Sequence, residues 1–433
     1  MSTEVDEIEV KGPDVTTENR LTKHTFSFLL SKIKGDRVIW AIVALLALFS
    51  FLPVYSASSN LAYLYGDGNT FSFLIKHFAH LGLGFGIMYW IHKIPYHYFK
   101  GLSIIMLPVI VVLLLFTMAQ NTTIGGANAS RWIRLPFVGV TFQTSTLAAL
   151  VLMTYVARYL SKIKNKEISF KETLLPLWLP VFLILILILP ANFSTTAIIF
   201  SMVMMLVFLG GYPLKYIMII LSTGVLALTF FVLVAKAFPD SFSNRVDTWV
   251  NRVENFVDNK DTQEDYQIER AKIAIARGGI IGTGPGKSVQ RNFLPQSSSD
   301  FIYAIIIEEW GLIGGVFLML LYLLLLFRLV IAAHKCSDVF GKLLVVGVGL
   351  PIVFQALINM AVAVELFPVT GQTLPLVSSG GTSIWMTCMA IGMVLSVSKE
   401  RELMKKEEQS LGGNIKKKRV EEENPLEILS EAL

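Results

Sequence analysis

The sequence predicts an all-α polytopic membrane protein of about ten transmembrane helices with a large extracytoplasmic loop between helices 7 and 8. Three observations predict it. Of the 433 residues, 54% are hydrophobic and only 16% are charged, against about 45–50% and about 25% in soluble domains. Ten apolar runs come close to the length of about 20 residues that crosses a bilayer. Lys and Arg gather on one side of those runs, as the positive-inside rule requires. The mean hydropathy is +0.61. This balance excludes a secreted disulfide scaffold, a disordered chain and an ordinary soluble multidomain enzyme. The two cysteines, Cys336 and Cys388, cannot form a framework, and neither has a metal-ligand neighbour at a familiar spacing. The net charge of +5 falls in juxtamembrane clusters, so no nucleic-acid partner is expected.

Residues 1–36 are polar and mixed in charge and read as a cytoplasmic tail. The first apolar stretch starts near Val38, too late and too long for the core of a signal peptide, and reads as a span. Spans follow near 38–55, 73–92, 98–118, 142–160, 174–190, 193–209, 214–235, 301–330, 343–364 and 374–397. The fifth and sixth are short and separated only by Ala191 and Asn192, so one is expected to be tilted or broken. Basic clusters mark the inner side: Lys11 to Arg37, then Arg158, Lys162, Lys164, Lys166 and Lys171, then Lys399 to Arg419. Both termini are therefore expected in the cytoplasm, with a membrane domain over 37–398 and a second tail over 399–433.

Two outer loops are long enough to hold a site. Residues 119–141 include Asn128-Ala129-Ser130-Arg131-Trp132-Ile133-Arg134. Residues 236–300 form a charged loop far longer than the usual connection of about 4–6 residues, with a helix-like stretch around Tyr266–Arg277. It ends in Gly282-Thr283-Gly284-Pro285-Gly286-Lys287-Ser288-Val289-Gln290-Arg291 and then Phe293-Leu294-Pro295. Gly286-Lys287-Ser288 looks like the end of a phosphate-binding loop, but that pattern needs glycine where Ile281 stands. What remains is a glycine turn whose N–H groups can hold anionic oxygens, with Lys287 and Arg291 as nearby cations.

Asp300 closes this segment at the mouth of a helix. Two readings stand at that point: a helix cap, or a general base facing a cationic loop. Glu308 and Glu309 follow on the same helix, about 12 Å deeper by helical rise. Carboxylates at such depth usually face a bundle interior. Ion pairing or protonation is expected for Glu309, and Glu308 is a weaker site candidate. Gln355 and Asn359, one turn apart, read as packing contacts between helices. His77 and His80 lack a third ligand nearby in sequence, so interhelical hydrogen bonding is expected rather than a metal. The stretch Gly371 to Ser383 opens the last span with small residues that permit close backbone approach or a broken helix.

These motifs together resemble one family. Ser288-Val289-Gln290, Phe293-Leu294-Pro295, Asp300-Phe301-Ile302, Glu308-Glu309-Trp310-Gly311 and Thr373-Leu374-Pro375 followed by Ser378-Ser379-Gly380-Gly381-Thr382-Ser383 resemble the SEDS proteins, the bacterial shape, elongation, division and sporulation glycosyltransferases. Ser130-Arg131-Trp132-Ile133 and Tyr266-Gln267 match as well. The run Gly-x-Gly-Lys-Ser-Val-Gln-Arg is more similar to the division branch, FtsW, than to the elongation branch, RodA. The resemblance covers roughly 38–398.

The resemblance implies polymerisation of lipid II into glycan strands on the outer face of the bacterial cytoplasmic (inner) membrane, with undecaprenyl pyrophosphate as the leaving group. Asp300 matches the family's essential aspartate, which favours the general-base reading. Arg131, Trp132, Lys287, Gln290, Arg291, Ser378, Ser379, Gly380 and Gly381 become substrate-binding candidates, with Glu308 and Glu309 in support. A divalent cation, Mg or Mn, is expected with an unknown ligand set, and no organic cofactor. The implied partners are lipid II, the undecaprenyl-linked glycan, a class B penicillin-binding protein of the FtsI-like transpeptidase type, and other divisome membrane proteins. A RodA-type elongation polymerase and a lipid II flippase are the alternatives. Three departures from the family stand together. Where it carries a Glu, a Lys and an Asp around a central cavity, this chain has Thr146, Ala149 and Asn192. Losing all three avoids stranding one charge in a low dielectric. Ser379 stands where the family usually has Tyr.

Overall fold

The structure is a computed structural model that describes residues 34–65, 70–120, 123–124, 127–128, 132–134, 141–164, 166–237, 263–294 and 297–400. The tails over 1–33 and 401–433, and Arg131, lie outside the described residues. All ten apolar runs are helical. The elements are α1 (Arg37–Tyr65), α2 (Thr70–Ile91), α3 (Tyr98–Ala119), α4 (Thr144–Ile163), α5 (Phe170–Ile188), α6 (Phe193–Leu209), α7 (Leu214–Ala237), α8 (Gln263–Gly278), α9 (Ile302–Lys335), α10 (Val339–Ala363) and α11 (Gly381–Glu400). Eight helices among the described residues are long and apolar enough to cross a membrane, and α6 and the start of α7 are shorter apolar helices. The helix around Tyr266–Arg277 is α8.

Proline is tolerated inside these helices because neighbouring groups satisfy the backbone that it frees. In α5 the turn Leu174–Trp178, which contains Pro176, is a π-helix, and the Pro176 carbonyl accepts from the Tyr155 hydroxyl at 2.5 Å. The loop between α3 and α4 carries two short antiparallel pairs, β1 (Thr123–Ile124) with β2 (Ala127–Asn128) and β3 (Trp132–Arg134) with β4 (Thr141–Gln143). The main core lies between helices and includes Leu46, Met88, Leu152, Trp178, Tyr322 and Phe340. A smaller core joins α8 to the ends of α1, α9 and α10 nearest Asp300 through Ala57, Ala271, Ala274, Leu294, Phe301, Ala304 and Val362.

Two expectations about spans are corrected. The last span begins at Gly381, not at 374, because residues 374–380 form non-helical turns in which Leu376 takes a positive φ of 66°. The span near 301–330 is not one continuous membrane helix. Gly311 breaks α9 with φ 69° and ψ −174°, a backbone conformation open to glycine almost alone. The segment after α8 docks into this break through backbone bonds. Thr283 N donates to Glu308 O and Gly284 N to Glu309 O, both at 2.9 Å, and Leu312 N donates to Gly279 O at 2.9 Å. A Cβ on Gly278 would meet Ile307 O at 2.0 Å, and one on Gly311 would meet Ile280 O at 2.2 Å. Glycine is what permits main chain to lie on main chain there.

The residues from 302 to 309 are all buried, whereas Leu312, Ile313, Val316 and Phe317 are exposed. The stretch 312–335 alone is about 36 Å long at helical rise, enough for a hydrocarbon core of about 30 Å. Glu308 and Glu309 therefore pack inside protein, beneath the segment that follows α8.

Candidate active site

Asp300 ends a turn, Ser297 to Asp300, that delivers the chain into α9. Main-chain bonds strap this turn to the segment before α11. Ser379 N donates to Ser298 O at 2.9 Å, and the Ser378 hydroxyl donates to Ser299 O at 2.6 Å. Ser378 Oγ also accepts from Leu374 N at 2.7 Å. From α10, the Asn359 amide donates to both Asp300 O and Gln372 O at 2.7 Å. Asn359 is therefore not only the packing contact that its position in a span suggested. Its 1% exposure makes these bonds costly to lose. The Asp300 carboxylate lies beside Gly371, where a side chain would project to 3.6 Å from Oδ2. Asp300 itself is half-buried.

Two adjoining chambers of about 90 and 60 Å³ lie in the bundle next to this turn. Their walls include Thr146, Ala149 and Gln355, shared by both, with Thr195 and Gln372 in one and Ser383 and Thr387 in the other. Gln372 connects chamber and turn, because its carbonyl accepts from Asn359 and its amide donates to Thr195 Oγ1 at 2.8 Å. No charged side chain lines either chamber among the described residues. The hydroxyls and amides are set among apolar neighbours that include Met153 and Pro351. Thr146 and Ala149 face this space, while Asn192 caps α6 with its Oδ1 accepting from Thr195 N at 3.1 Å. Asn192→Ala is expected to lower stability by about 1 kcal/mol, read as a fall in the thermal midpoint of the purified protein. An unchanged midpoint would remove the cap from the account.

The second group of candidates forms a separate cluster. The Glu308 carboxylate accepts from the Ser288 hydroxyl, from Val289 N at 3.0 Å and from Gln290 N at 3.2 Å. Arg277 Nη1 lies 3.5 Å from the same carboxylate. Of the two roles expected for Glu309, ion pairing or protonation, the ion pair falls on Glu308 instead. Glu309 accepts from the Ser56 hydroxyl of α1 and from Ser288 N at 3.2 Å. Arg291 turns inward, donating to Ser56 Oγ at 2.7 Å and Gly286 O at 2.9 Å. Gln290 is buried, whereas Lys287 is exposed. These residues anchor the loop 283–291 onto α1 and α9. Of the two cationic candidates among the described residues, Lys287 is turned outward and Arg291 inward.

The remaining candidates are dispersed. Trp132 sits half-buried in β3, paired with Gln143. Gly380 and Gly381 start α11, and Gly381 packs against the His80 ring, which also lies 5.3 Å from Trp385. His77 bonds to Ser50 Oγ at 2.7 Å, an interhelical contact. Asn359, Ser288, Arg277 and Ser56 were not singled out as site residues from sequence. For Asn359 a signal existed, an amide in an apolar span, whereas Ser56 had none.

Comparisons with known proteins agree with this architecture. The family model for the FtsW/RodA/SpoVE cell cycle proteins matches residues 36–403. A protein named probable peptidoglycan glycosyltransferase FtsW from Alcanivorax borkumensis is 33% identical over 380 residues, covering 85% of this chain and 94% of its own length. A protein of the same name from Geobacter sulfurreducens is 32% identical over 368 residues, 84% and 95% of the two chains. Among solved structures, a chain of a peptidoglycan synthase complex that coordinates polymerization and crosslinking superposes with a TM-score of 0.65. It shares 26% identity and covers 85% of this chain and 98% of its own. The rod shape determining protein RodA of Thermus thermophilus gives a TM-score of 0.60 at 24% identity, covering 85% and 97%, and shows the same fold.

Proposed function

The chain belongs to the FtsW/RodA/SpoVE family of cell cycle proteins, and from that premise we propose that it polymerises lipid II into peptidoglycan glycan strands during cell division. The observation that carries this reading is its similarity to FtsW glycosyltransferases over 85% of its length. The elongation role of RodA is the less favoured assignment, because the curated relatives matched at a third identity are named FtsW.

In the proposed reaction, Asp300 takes the proton from the 4-hydroxyl of the acceptor's N-acetylglucosamine. That oxygen attacks the anomeric carbon of the donor's N-acetylmuramic acid as the bond to undecaprenyl pyrophosphate breaks. Configuration inverts, the proton resides on Asp300, and the electron pair leaves with the pyrophosphate. The strapped turn holds the base in place before substrate arrives, so its orientation costs little at the moment of reaction. The neutral chambers receive sugar hydroxyls. Lys287, on the exposed face of the loop, and Arg131 offer positive charge to the departing pyrophosphate.

Among the described residues no three His, Cys, Asp or Glu side chains converge on one point. A Mg or Mn ion would therefore rest on one carboxylate and the substrate's own phosphate oxygens, an arrangement Mg commonly adopts. It would supply charge neutralisation at the leaving group. No organic cofactor is required, since the pyrophosphate already activates the donor. The protein is a multi-pass membrane protein, and the distribution of Lys and Arg supports both termini in the cytoplasm with Asp300 outside. Membership of the family, and similarity to a chain that works in a synthase complex, support a class B penicillin-binding protein as partner.

The test is polymerisation of lipid II by the purified full chain with its cognate transpeptidase. Glycan strands are expected from the complex. Their absence from a complex shown to be intact and lipid-bound would overturn the assignment.

A further inference from the structure

We propose that the groove between α4, α6, α9 and α10, at the end of the bundle that carries Lys34 and Glu400, binds an anionic glycerophospholipid by its phosphate and one acyl chain. The groove encloses about 340 Å³. Its apolar wall includes Leu209, Val330 and Val346, and Leu209 and Val330 are each 52% exposed, so it opens sideways toward lipid.

The rim is basic. Lys164 ends α4, Lys342 lies in the first turn of α10 and His334 lies in the last turn of α9. No acidic residue lines the groove. The acid nearest in sequence, Asp338, is engaged elsewhere: its Oδ2 lies 3.5 Å from Lys100 Nζ and accepts from Gly341 N at 3.3 Å. Neither Lys164 nor Lys342 has an ion-pair partner among the described residues. Two ammonium groups and an imidazole donor at the end of an apolar trough match a phosphate above an acyl chain. A transmembrane helix of another protein would cover the same trough but offer these cations no anion, which is costly in a low dielectric. On the orientation proposed above, this is the inner leaflet. Lipid binding in this groove is independent of the polymerase reaction, and its test reads binding alone.

The experiment measures phosphatidylglycerol binding to the full chain in phosphatidylcholine nanodiscs, by native mass spectrometry across a lipid titration. Three forms are compared with wild type: Lys164→Gln with Lys342→Gln, Lys164→Arg with Lys342→Arg, and Lys162→Gln with Lys166→Gln. The first pair is expected to weaken binding on the order of 30-fold, as two lysine–phosphate contacts are lost. The arginine pair retains affinity and shows that the fold tolerates change at both sites. The third pair removes equal charge from the same end outside the groove and retains affinity. Equal losses in the first and third pairs, or none in the first, would overturn the proposal in favour of diffuse attraction. Preference of the wild type for undecaprenyl phosphate over phosphatidylglycerol would overturn it in favour of the carrier lipid.

Discussion

Replacing Asp300 by asparagine is expected to lower lipid II polymerisation by about 10²–10⁴-fold, the usual worth of a positioned general base. Asparagine keeps the size of the side chain and removes its capacity to take the proton. The structure makes this substitution informative, because what holds the turn is main chain. Ser298, Ser299 and Asp300 each offer a carbonyl, to Ser379 N, Ser378 Oγ and Asn359 Nδ2 respectively. None of these three bonds involves the carboxylate, so these three are expected to persist in the variant. The measurement is the initial rate of glycan formation by the transpeptidase complex, alongside co-purification of the two proteins. A variant that stays in the complex and polymerises at the wild-type rate would remove Asp300 as the base.

Glu308→Ala is expected to destabilise the loop 283–291 by about 1–3 kcal/mol, the cost of leaving buried donors without their acceptor. Glu308 is fully buried and gathers the Ser288 hydroxyl with the N–H groups of Val289 and Gln290. Alanine leaves those donors without an acceptor, and Ser288 and Gln290 are buried where water does not readily replace it. Arg277 contributes less, since its side chain is 42% exposed and sits 3.5 Å away, where solvent screens the pair. Hydrogen exchange should show the amides of Val289 and Gln290 losing protection while those of α10 keep theirs. Protection unchanged at both amides would mean that the loop is held by other contacts, chiefly the backbone pairing across Gly311.

Much of this protein was legible in its sequence, and for physical reasons. A run of about 20 apolar residues has few fates other than a spanning helix, because its backbone must be satisfied internally in lipid. All ten runs are helical, and α8 stands where its periodicity placed it. Boundaries were less legible. The last span looked as if it began at 374 because Leu374, Pro375, Leu376 and Val377 are apolar. These residues are buried in turns instead, with the Tyr322 hydroxyl donating to Pro375 O. Burial in protein and burial in lipid select the same residue types, so composition does not separate them.

The two glutamates show a deeper limit. From the sequence, Glu309 is assigned to ion pairing or protonation and Glu308 is the weaker site candidate. The structure brings the loop 283–291 over both, so that Ser288 alone touches the two carboxylates. Gly311 was visible, but whether a glycine in a helix breaks it depends on what packs there, and here that is the backbone of Gly278 to Gly284. Similarly, Arg291 reads as a cation near a glycine turn, yet its guanidinium is committed to Ser56, 235 positions away in the chain.

By itself the sequence determined the class of molecule and the order of its apolar helices, and its resemblance to a family singled out Asp300 as the candidate base. Those properties follow from local composition and from a motif whose parts lie close together in the chain. Only the tertiary structure decided which polar groups Asp300 shares its turn with, that the chamber beside it is neutral, and that Glu308 and Glu309 anchor a loop. Hydrogen bonds and ion pairs act over a few ångströms, and which residues come within that distance is fixed by the packing of helices far apart in sequence.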